Sequence, residues 1–304
     1  MWPVVAVKNG SPVARAAAIL MLAAADENGM SQGWIAFFEF IVGNESEASS
    51  VLSRCEEILA NRGAKSLLAP KVDNQLLGLQ TAGFNMPQTV LTNHNPPYYQ
   101  KIFDNCGYQV KSRIVTFNLS RDTAKQAEKA VPGIITRQFN RRNIVEELNI
   151  FGRLQSSIFA QSDSYIARNP EQDKEMVASL LPIIDDELII IAEDSNGQPI
   201  GLLICLPDVY QAYKEDKIDR ARIVSAGVMP GWERKGIGSL MGAHLMKNLL
   251  SKGYQTAEAS WILDSNVASQ NLAKRFNASP GREFLLFKKD LQAVTLNLPQ
   301  LNMH

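Results

Sequence analysis

The segment most able to do chemistry spans residues 228–239, where a predicted strand passes into a predicted helix through a glycine-rich loop. Backbone N–H groups at the start of a helix point toward one spot, and the helix dipole adds positive potential there. Gly236 and Gly238 let a phosphate group approach the backbone closely, because they carry no side chain. Arg234 and Lys235 stand at this positive end, where a cation costs about 0.3–1 kcal/mol unless an anion binds. The segment therefore predicts a phosphate-binding site.

Three kinds of phosphate loop compete for this segment. A Walker loop requires Gly-Lys-Ser/Thr, whereas Gly238 is followed by Ser239 and Leu240. A dinucleotide-binding fingerprint requires its glycines directly after the strand, whereas residues 230–235 intervene here. Glu258 stands about where a ribose-binding acid would fall, so a dinucleotide site stays open as an alternative. The third kind is the loop that binds acyl-coenzyme A.

That third kind is favoured by a resemblance to the GNAT acetyltransferase superfamily. The family motif is Val-x-Pro, then Arg or Gln, then Gly followed by Gly or Ala, and the chain has Val228, Pro230, Glu233, Gly236 and Gly238. Glu233 departs from the usual Arg or Gln, at a position where backbone N–H groups make the main phosphate contact. A second family block resembles Asp264-Ser265-Asn266, followed by Ser269, Leu272 and Phe276, and the resemblance covers residues 134–290.

The resemblance implies acetyl-CoA as the acyl donor, with its pantetheine arm beside the strand that ends at Val228. The residues expected to bind CoA are Ala226, Gly227, Val228, Glu233, Arg234, Lys235, Gly236, Ile237, Gly238, Ser239, Asn266 and Ser269.

Acyl transfer from a thioester to an amine requires a base for the nucleophile, an N–H for the developing oxyanion and an acid for the leaving thiolate. Glu258 and Asp208 are the candidate bases, although their residue types and positions favour a structural role for each. Many family members place a tyrosine acid seven residues after the asparagine that matches Asn266. The chain has Ala273 there, which has no proton to give.

These residues predict an enzyme that moves an acetyl group from acetyl-CoA to a small acceptor, an amine by resemblance. The first alternative is a non-catalytic acyl-CoA-binding sensor, and the second is a dinucleotide-dependent oxidoreductase. The acceptor cannot be named, because no acidic or aromatic cage can be identified and a fold does not carry substrate identity.

The composition sets limits on other functions. A chain of 304 residues with 45% apolar residues is long enough for two domains of about 150 residues, each with its own core. The formal net charge is zero, so we expect neither a nucleic acid nor a membrane as partner. The three cysteines and three histidines are scattered, which argues against disulfides and against a metal site. The apolar segment 13–25 is interrupted by Arg15 and predicts a strand rather than a signal peptide, so a cytoplasmic location is expected.

The elements that must position the loop follow from the hydrophobic periodicity of the second half. Residues 238–252 repeat apolar side chains at helical spacing and end at Gly253, and residues 267–276 predict a further helix. Earlier helices are expected at 141–159 and 170–181. Strands are expected at 134–139, 188–192, 200–206, 222–228, 256–263 and 284–288.

The first half repeats part of this order. Strands are expected at 33–42, 65–70 and 108–119, with a helix at 44–61 and another ending near Gly107. The sequence thus predicts an α/β protein with mixed sheets and two GNAT-like lobes, of which the first lacks the opening helices and is incomplete. The expected boundaries are a degenerate lobe at 1–122, a linker at 123–133, an acetyl-CoA-binding domain at 134–291 and a tail at 292–304. The first lobe's counterpart of the phosphate loop, which we call its phosphate slot, lies at the start of the helix at 44–61. Glu45 and Glu47 fill this slot and would repel a pyrophosphate.

Overall fold

The computed structural model describes residues 1–25, 31–71, 78–122, 130–160 and 169–291. The strands of these ranges are β1 Trp2–Lys8, β2 Ser11–Ala25, β3 Ser31–Phe40, β4 Ser66–Lys71, β5 Leu79–Ala82, β6 Gln109–Ser120, β7 Ile135–Gln138, β8 Ile189–Glu193, β9 Pro199–Pro207, β10 Arg220–Val228, β11 Thr256–Leu263 and β12 Ser279–Asp290. The helices are α1 Glu45–Ala60, α2 Tyr99–Asn105, α3 Ile144–Phe159, α4 Pro170–Leu180, α5 Ile237–Ser251 and α6 Val267–Arg275.

These elements form two compact units. The first consists of Met1–Phe84, Asn93–Arg113 and Phe284–His304, and the second of Asn85–Thr92 and Ile114–Glu283. The predicted α/β architecture with mixed sheets is confirmed. The units differ from the expected boundaries in two strands and one loop, because most of β6 and residues 85–92 belong to the second unit and most of β12 to the first. Residues 123–129 of the expected linker at 123–133 and the tail from residue 292 lie outside the described residues.

The first unit is built on antiparallel pairs β1·β2 and β2·β3, a parallel pair β3·β4 and an antiparallel pair β4·β12. Helix α1 buries Val51, Leu52, Cys55 and Leu59 in its core, because these residues recur at helical spacing on one face. In the described part of this unit no helix precedes β3. Whether the lobe is functionally incomplete stays a prediction.

The aromatic residues of α2 close that core against the last strand. Phe103 is fully buried and stacks on Phe287 of β12, with ring centroids 5.1 Å apart. The Phe103 ring also forms T-shaped pairs with the rings of Phe38 and Tyr108, and the ring centroids are 5.2 Å apart in each pair. The N-terminal unit therefore depends on a side chain from near the other end of the chain.

The second unit is a sheet of antiparallel pairs β7·β8, β8·β9 and β9·β10, a parallel pair β10·β11 and an antiparallel pair β11·β6. Helix α5 contributes to the apolar cluster on one face of this sheet. Side chains of α3 and α4 contribute to a second apolar cluster, together with Val90. Among the described residues, no helix is both long and apolar enough for a bilayer crossing.

The repeated order of elements, strand–helix–strand–helix–strand, is present in the second half as β10-α5-β11-α6-β12 and in the first half as β3-α1-β4-α2-β6, with the short strand β5 added between β4 and α2. The last strand of each series pairs in the unit of the other series: β6 with β11, and β12 with β4. The units therefore exchange their last strands. The sequence pattern did not indicate this exchange, because an alternating apolar strand fits either sheet.

The exchange predicts that Phe287→Ala destabilises the first unit by about 3–5 kcal/mol, since it leaves a cavity beside Phe103. Urea unfolding and amide exchange of α2 measure this, with Val267→Ala as the control because Val267 is 61% exposed. If α2 amides exchange as slowly in the variant as in the wild type, the dependence of the first unit on β12 is wrong.

Candidate functional site

The site begins where two parallel strands separate. Strands β10 and β11 pair from Arg220↔Thr256 to Ile223↔Ala259, and in the described residues their ladder goes no further. Strand β11 continues instead against β6, as the Ile262↔Val115 pair shows. The edge of β10 from Val224 to Val228 thus has no strand partner on its β11 side. We call the wedge-shaped space between residues 224–228 and 260–263 the notch.

A β-bulge in β10 lies at the closed end of the notch. The register of β10 against β9 shifts between Ile223, opposite Cys205, and Ser225, opposite Ile204. Val224 is the extra residue, and a bulge of this kind bends its strand and increases the local twist. The bulge therefore falls where β10 leaves β11, which connects the opening of the notch to an identifiable backbone feature.

The loop at the open end of the notch presents the first turn of α5. Gly236 is the N-cap residue with φ +86°, a left-handed conformation that glycine adopts without strain. Within the described residues no side chain caps α5, so its first N–H groups are left for another acceptor. Ile237 anchors the turn by its burial. The structure thus places the predicted phosphate-binding residues at one uncapped helix N-terminus.

Positive charge surrounds this helix N-terminus. Arg234 and Lys235 are exposed, and the Lys235 ammonium lies 4.5 Å from the ring centroid of Trp232. Arg275, at the end of α6, donates to Ser239 Oγ at 3.3 Å. Arg275 was not among the residues predicted from the sequence, because only the packing of α6 against α5 brings it there.

Glu233, the residue that departs from the family motif, bonds within its own loop. Its carboxylate accepts the N–H of Gly231 at 2.7 Å. The side chain therefore stabilises the turn that precedes α5, and a contact of Glu233 with CoA stays a prediction.

Helix α6 packs closely against the first turns of α5. A Cβ at Gly238 would lie 3.4 Å from Leu272, an ordinary contact, and one at Gly242 would lie 2.7 Å from the ring of Phe276. Asn266 caps α6 by accepting the Ser269 N–H at 3.0 Å. Asn266 and Ser269 thus have a local structural role in capping α6, and their contact with CoA stays a prediction.

The two candidate bases are both buried in ion pairs. Glu258 is 4% exposed and pairs with Arg282, and Asp208 is fully buried and accepts from Arg220 Nε at 3.1 Å. To accept a proton, each carboxylate would have to weaken its bond to a guanidinium. A structural role accounts for these contacts, and the catalytic assignment of Glu258 and Asp208 stays a hypothesis.

A network around Arg222 occupies the point where the strands separate. Arg222 donates to Ser260 Oγ at 2.6 Å and to the carbonyls of Val90 and Leu91, and its guanidinium lies 5.6 Å from the Trp261 ring centroid. Burial lowers the pKa of Arg222 to about 10, which leaves it charged at neutral pH.

The same network fixes residues 85–92, a loop from the first half of the chain, within the second unit. Val90 N–H donates to Asp208 at 2.9 Å, and Arg282 donates to the carbonyl of Pro87. Thr89 Oγ1 lies 3.5 Å from Glu258 Oε1. No sequence pattern predicted these contacts, because the partners of this loop are remote in the chain.

Ala273, the residue at the family's tyrosine position, is 7% exposed on α6. Replacing this buried methyl by a phenol would overpack the site, which costs about 1–3 kcal/mol. Ala273 therefore does not leave an open space in which a tyrosine side chain would fit.

The corresponding slot of the first unit contains acidic groups. Glu45 Oε1 accepts the N–H of Gly43 at 3.1 Å, just before α1. Glu47 pairs with Lys8 at 2.9 Å. Carboxylates thus stand beside the N-terminus of α1, whereas the first turn of α5 has none.

Comparison with known proteins finds similarity to one family. Residues 157–278 match the sequence profile described as the acetyltransferase (GNAT) family. A bacterial ceramide synthase from Caulobacter vibrioides is 22% identical over 72% of the chain, and the chain spans 64% of that protein, less than two thirds. Protein YghO from Escherichia coli is 21% identical over 80% of the chain and 70% of its own length.

Solved structures show the same fold at low identity. A GCN5-related N-acetyltransferase from Sphaerobacter thermophilus superposes with a TM-score of 0.60 at 14% identity, covering 93% of the chain and 78% of its own. A tandem GNAT protein from the clavulanic acid biosynthesis pathway gives 0.59 at 11% identity, covering 95% and 82%. The chain thus has the fold of two-lobed GNAT proteins.

Tight packing over the notch predicts the effect of one added methyl. A Cβ at Gly227 would overlap Ile158 of α3, so Gly227→Ala is expected to destabilise the protein by about 1–3 kcal/mol. Adding Ile158→Ala should recover part of this loss, because it vacates the space. Urea unfolding of the four variants of this cycle gives the coupling, and Gly238→Ala is the near-neutral control. Strictly additive effects would contradict the contact.

Proposed function

We propose that the chain, whose residues 157–278 match the acetyltransferase (GNAT) family and which has the fold of two-lobed GNAT proteins, transfers an acyl group from acyl-CoA to an amine. The observation that carries the proposal is the notch between β10 and β11, which opens at an uncapped, positively charged helix N-terminus. Acyl transfer is the activity that this fold supports in general, and the donor and acceptor belong to the proposal.

The phosphate end of the donor fits the first turn of α5. Four N–H groups of a helix start lack partners within the helix, and a pyrophosphate supplies acceptors for them. Arg234, Lys235 and Arg275 add charge that an unoccupied helix N-terminus would disfavour. This combination supports an anionic ligand rather than a solvated turn.

The pantetheine arm fits the free edge of β10. Its amides can pair with backbone groups of Ala226–Val228, in the way an extended peptide adds to a sheet edge. A backbone N–H of β10 is then available to polarise the thioester carbonyl, as the family resemblance implies. Glu258 and Asp208 remain the hypothesised bases, and Glu258→Gln and Asp208→Asn test them.

Two acyl donors are compatible with these features. Acetyl-CoA is the donor that the GNAT family generally uses. A longer chain is the second candidate, because a relative is a ceramide synthase, and ceramides are N-acylated long-chain amino alcohols. Apolar side chains beside the notch, among them Ile158 of α3 and Val224 of β10, support the second candidate. The proposal includes both, with an amine as the acceptor.

The proposal predicts turnover of acyl-CoA with an amine panel, followed as free thiol release with donors from acetyl to palmitoyl. Ser239→Asp should reduce CoA affinity at least tenfold, because it adds a carboxylate at the phosphate site. An acid in this turn stabilises the helix itself, so the fold is expected to survive. Ser195→Glu, in an exposed turn, is the charge control.

Binding without turnover across the panel would favour the sensor alternative. Calorimetric binding of NAD(P)H in place of CoA would favour the oxidoreductase.

We further predict one CoA per chain, because Glu45 and Glu47 place carboxylates at the first unit's slot. Isothermal titration of the wild type gives the stoichiometry directly. Glu45→Gln should leave that stoichiometry at one, because Glu47 remains. Two equivalent sites in the wild type would contradict a degenerate first lobe.

A further inference from the structure

A polar pair at the bulge of β10 has no role in the function proposed so far. Gln155 of α3 donates from Nε2 to Ser225 Oγ at 3.1 Å. Gln155 is 8% exposed, and Ser225 is partly exposed. A buried amide costs free energy unless it is hydrogen-bonded, so this bond is what makes Gln155 tolerable in its surroundings.

Those surroundings are apolar. Ile150 and Leu154 of α3 are buried in the same cluster as the partly buried Val224 and Ile158. A hydroxyl has one proton to donate and two lone pairs to accept with. Since Gln155 uses a lone pair of Ser225 Oγ, the Ser225 proton is left to donate to another acceptor. In the part of the chain described, Gln155 supplies the only side-chain hydrogen bond recorded for Ser225.

The pair lies toward the closed end of the notch. Ser225 comes two residues after Ile223, the last residue of β10 paired with β11. It precedes Val228, at the open end, by roughly 10 Å at the rise of a β-strand. A donor whose phosphates lie at α5 extends its arm along β10 toward Ser225. The reacting end of that donor therefore comes to the bulge.

We propose that Ser225 is a catalytic residue whose hydroxyl donates a hydrogen bond to the thioester carbonyl oxygen, and that Gln155 is its positioning residue. This proposal rests on the acyl-transfer function above. Fixed donors aimed at a developing oxyanion stabilise the transition state more than the ground state. Gln155 holds Ser225 Oγ in one place, because the amide fixes one lone pair of the hydroxyl.

The reaction forms no bond to Ser225. The amine nitrogen adds to the carbonyl carbon, and the C=O electron pair moves onto the oxygen that Ser225 hydrogen-bonds. The carbonyl then re-forms, the C–S bond breaks and CoA leaves as the thiolate. The proton lost by the amine nitrogen passes through solvent to that thiolate, so the products are an amide and free CoA.

Steady-state kinetics, CoA titration and thermal unfolding of four variants test the proposal. Ser225→Ala should lower kcat about 10²–10³-fold, the loss typical of one oxyanion donor, with the Kd for CoA unchanged within twofold. Ser225→Thr, which keeps the hydroxyl, should retain activity within about tenfold. Gln155→Leu should lower kcat less than Ser225→Ala does, and combining the two should be no worse than Ser225→Ala alone. Ser156→Ala, on the exposed face of the same helix, is the matched control.

The pH profile separates a donor from a titrating base. Because the hydroxyl does not ionise in the working range, Ser225→Ala should lower kcat by the same factor at every pH. Wild-type kcat in Ser225→Ala would overturn the assignment while leaving acyl transfer intact. A joint loss of kcat, CoA affinity and thermal stability that Ser225→Thr does not restore would reduce the pair to a structural contact. A wild type that consumes no acyl-CoA would remove both the function and this role.

Discussion

The buried guanidinium of Arg222 is the interaction on which the second unit's site depends. A charged group can be buried only when hydrogen bonds and counter-charges replace its water. Arg222 obtains them from Ser260 on β11 and from the carbonyls of residues 90 and 91. These partners lie where β10 and β11 cease to pair. The same bonds that satisfy the charge therefore hold the closed end of the notch and attach the loop at 85–92 beside it.

The open end of the notch depends instead on backbone N–H groups that have no acceptor within their own helix. The first turn of α5 has no side-chain cap among the described residues and contains no acid, and Arg234, Lys235 and Arg275 lie beside it. Both features destabilise an isolated helix. Most helices avoid this arrangement, and α1 of the first unit does so with acidic residues in its first turn. The contrast between α1 and α5 supports a division of roles between the lobes.

The sequence predicted those features of the site that lie within one short segment. The phosphate loop could be identified because its glycines, its cations and the start of α5 are consecutive. Arg222 and Val90 are 132 residues apart, and Gln155 and Ser225 are 70 apart, so neither contact leaves a local pattern. Hydrophobic periodicity located nearly all the described helices and strands. It could not assign β6 and β12 to a sheet, because alternation specifies which side of a strand is buried but not its neighbour.

The exchange of β6 and β12 bears on how the protein is made in the cell. The core around Phe103 closes only when Phe287 arrives, after the whole second half has been translated. At about 5–20 residues per second, the first unit waits on the order of ten seconds or more with an open sheet edge at β4. An exposed strand edge is a template for wrong pairing, so this nascent chain is a natural client for chaperones. The two lobes therefore mature together, and a gene rearrangement that separated them would leave neither half with its own closing strand.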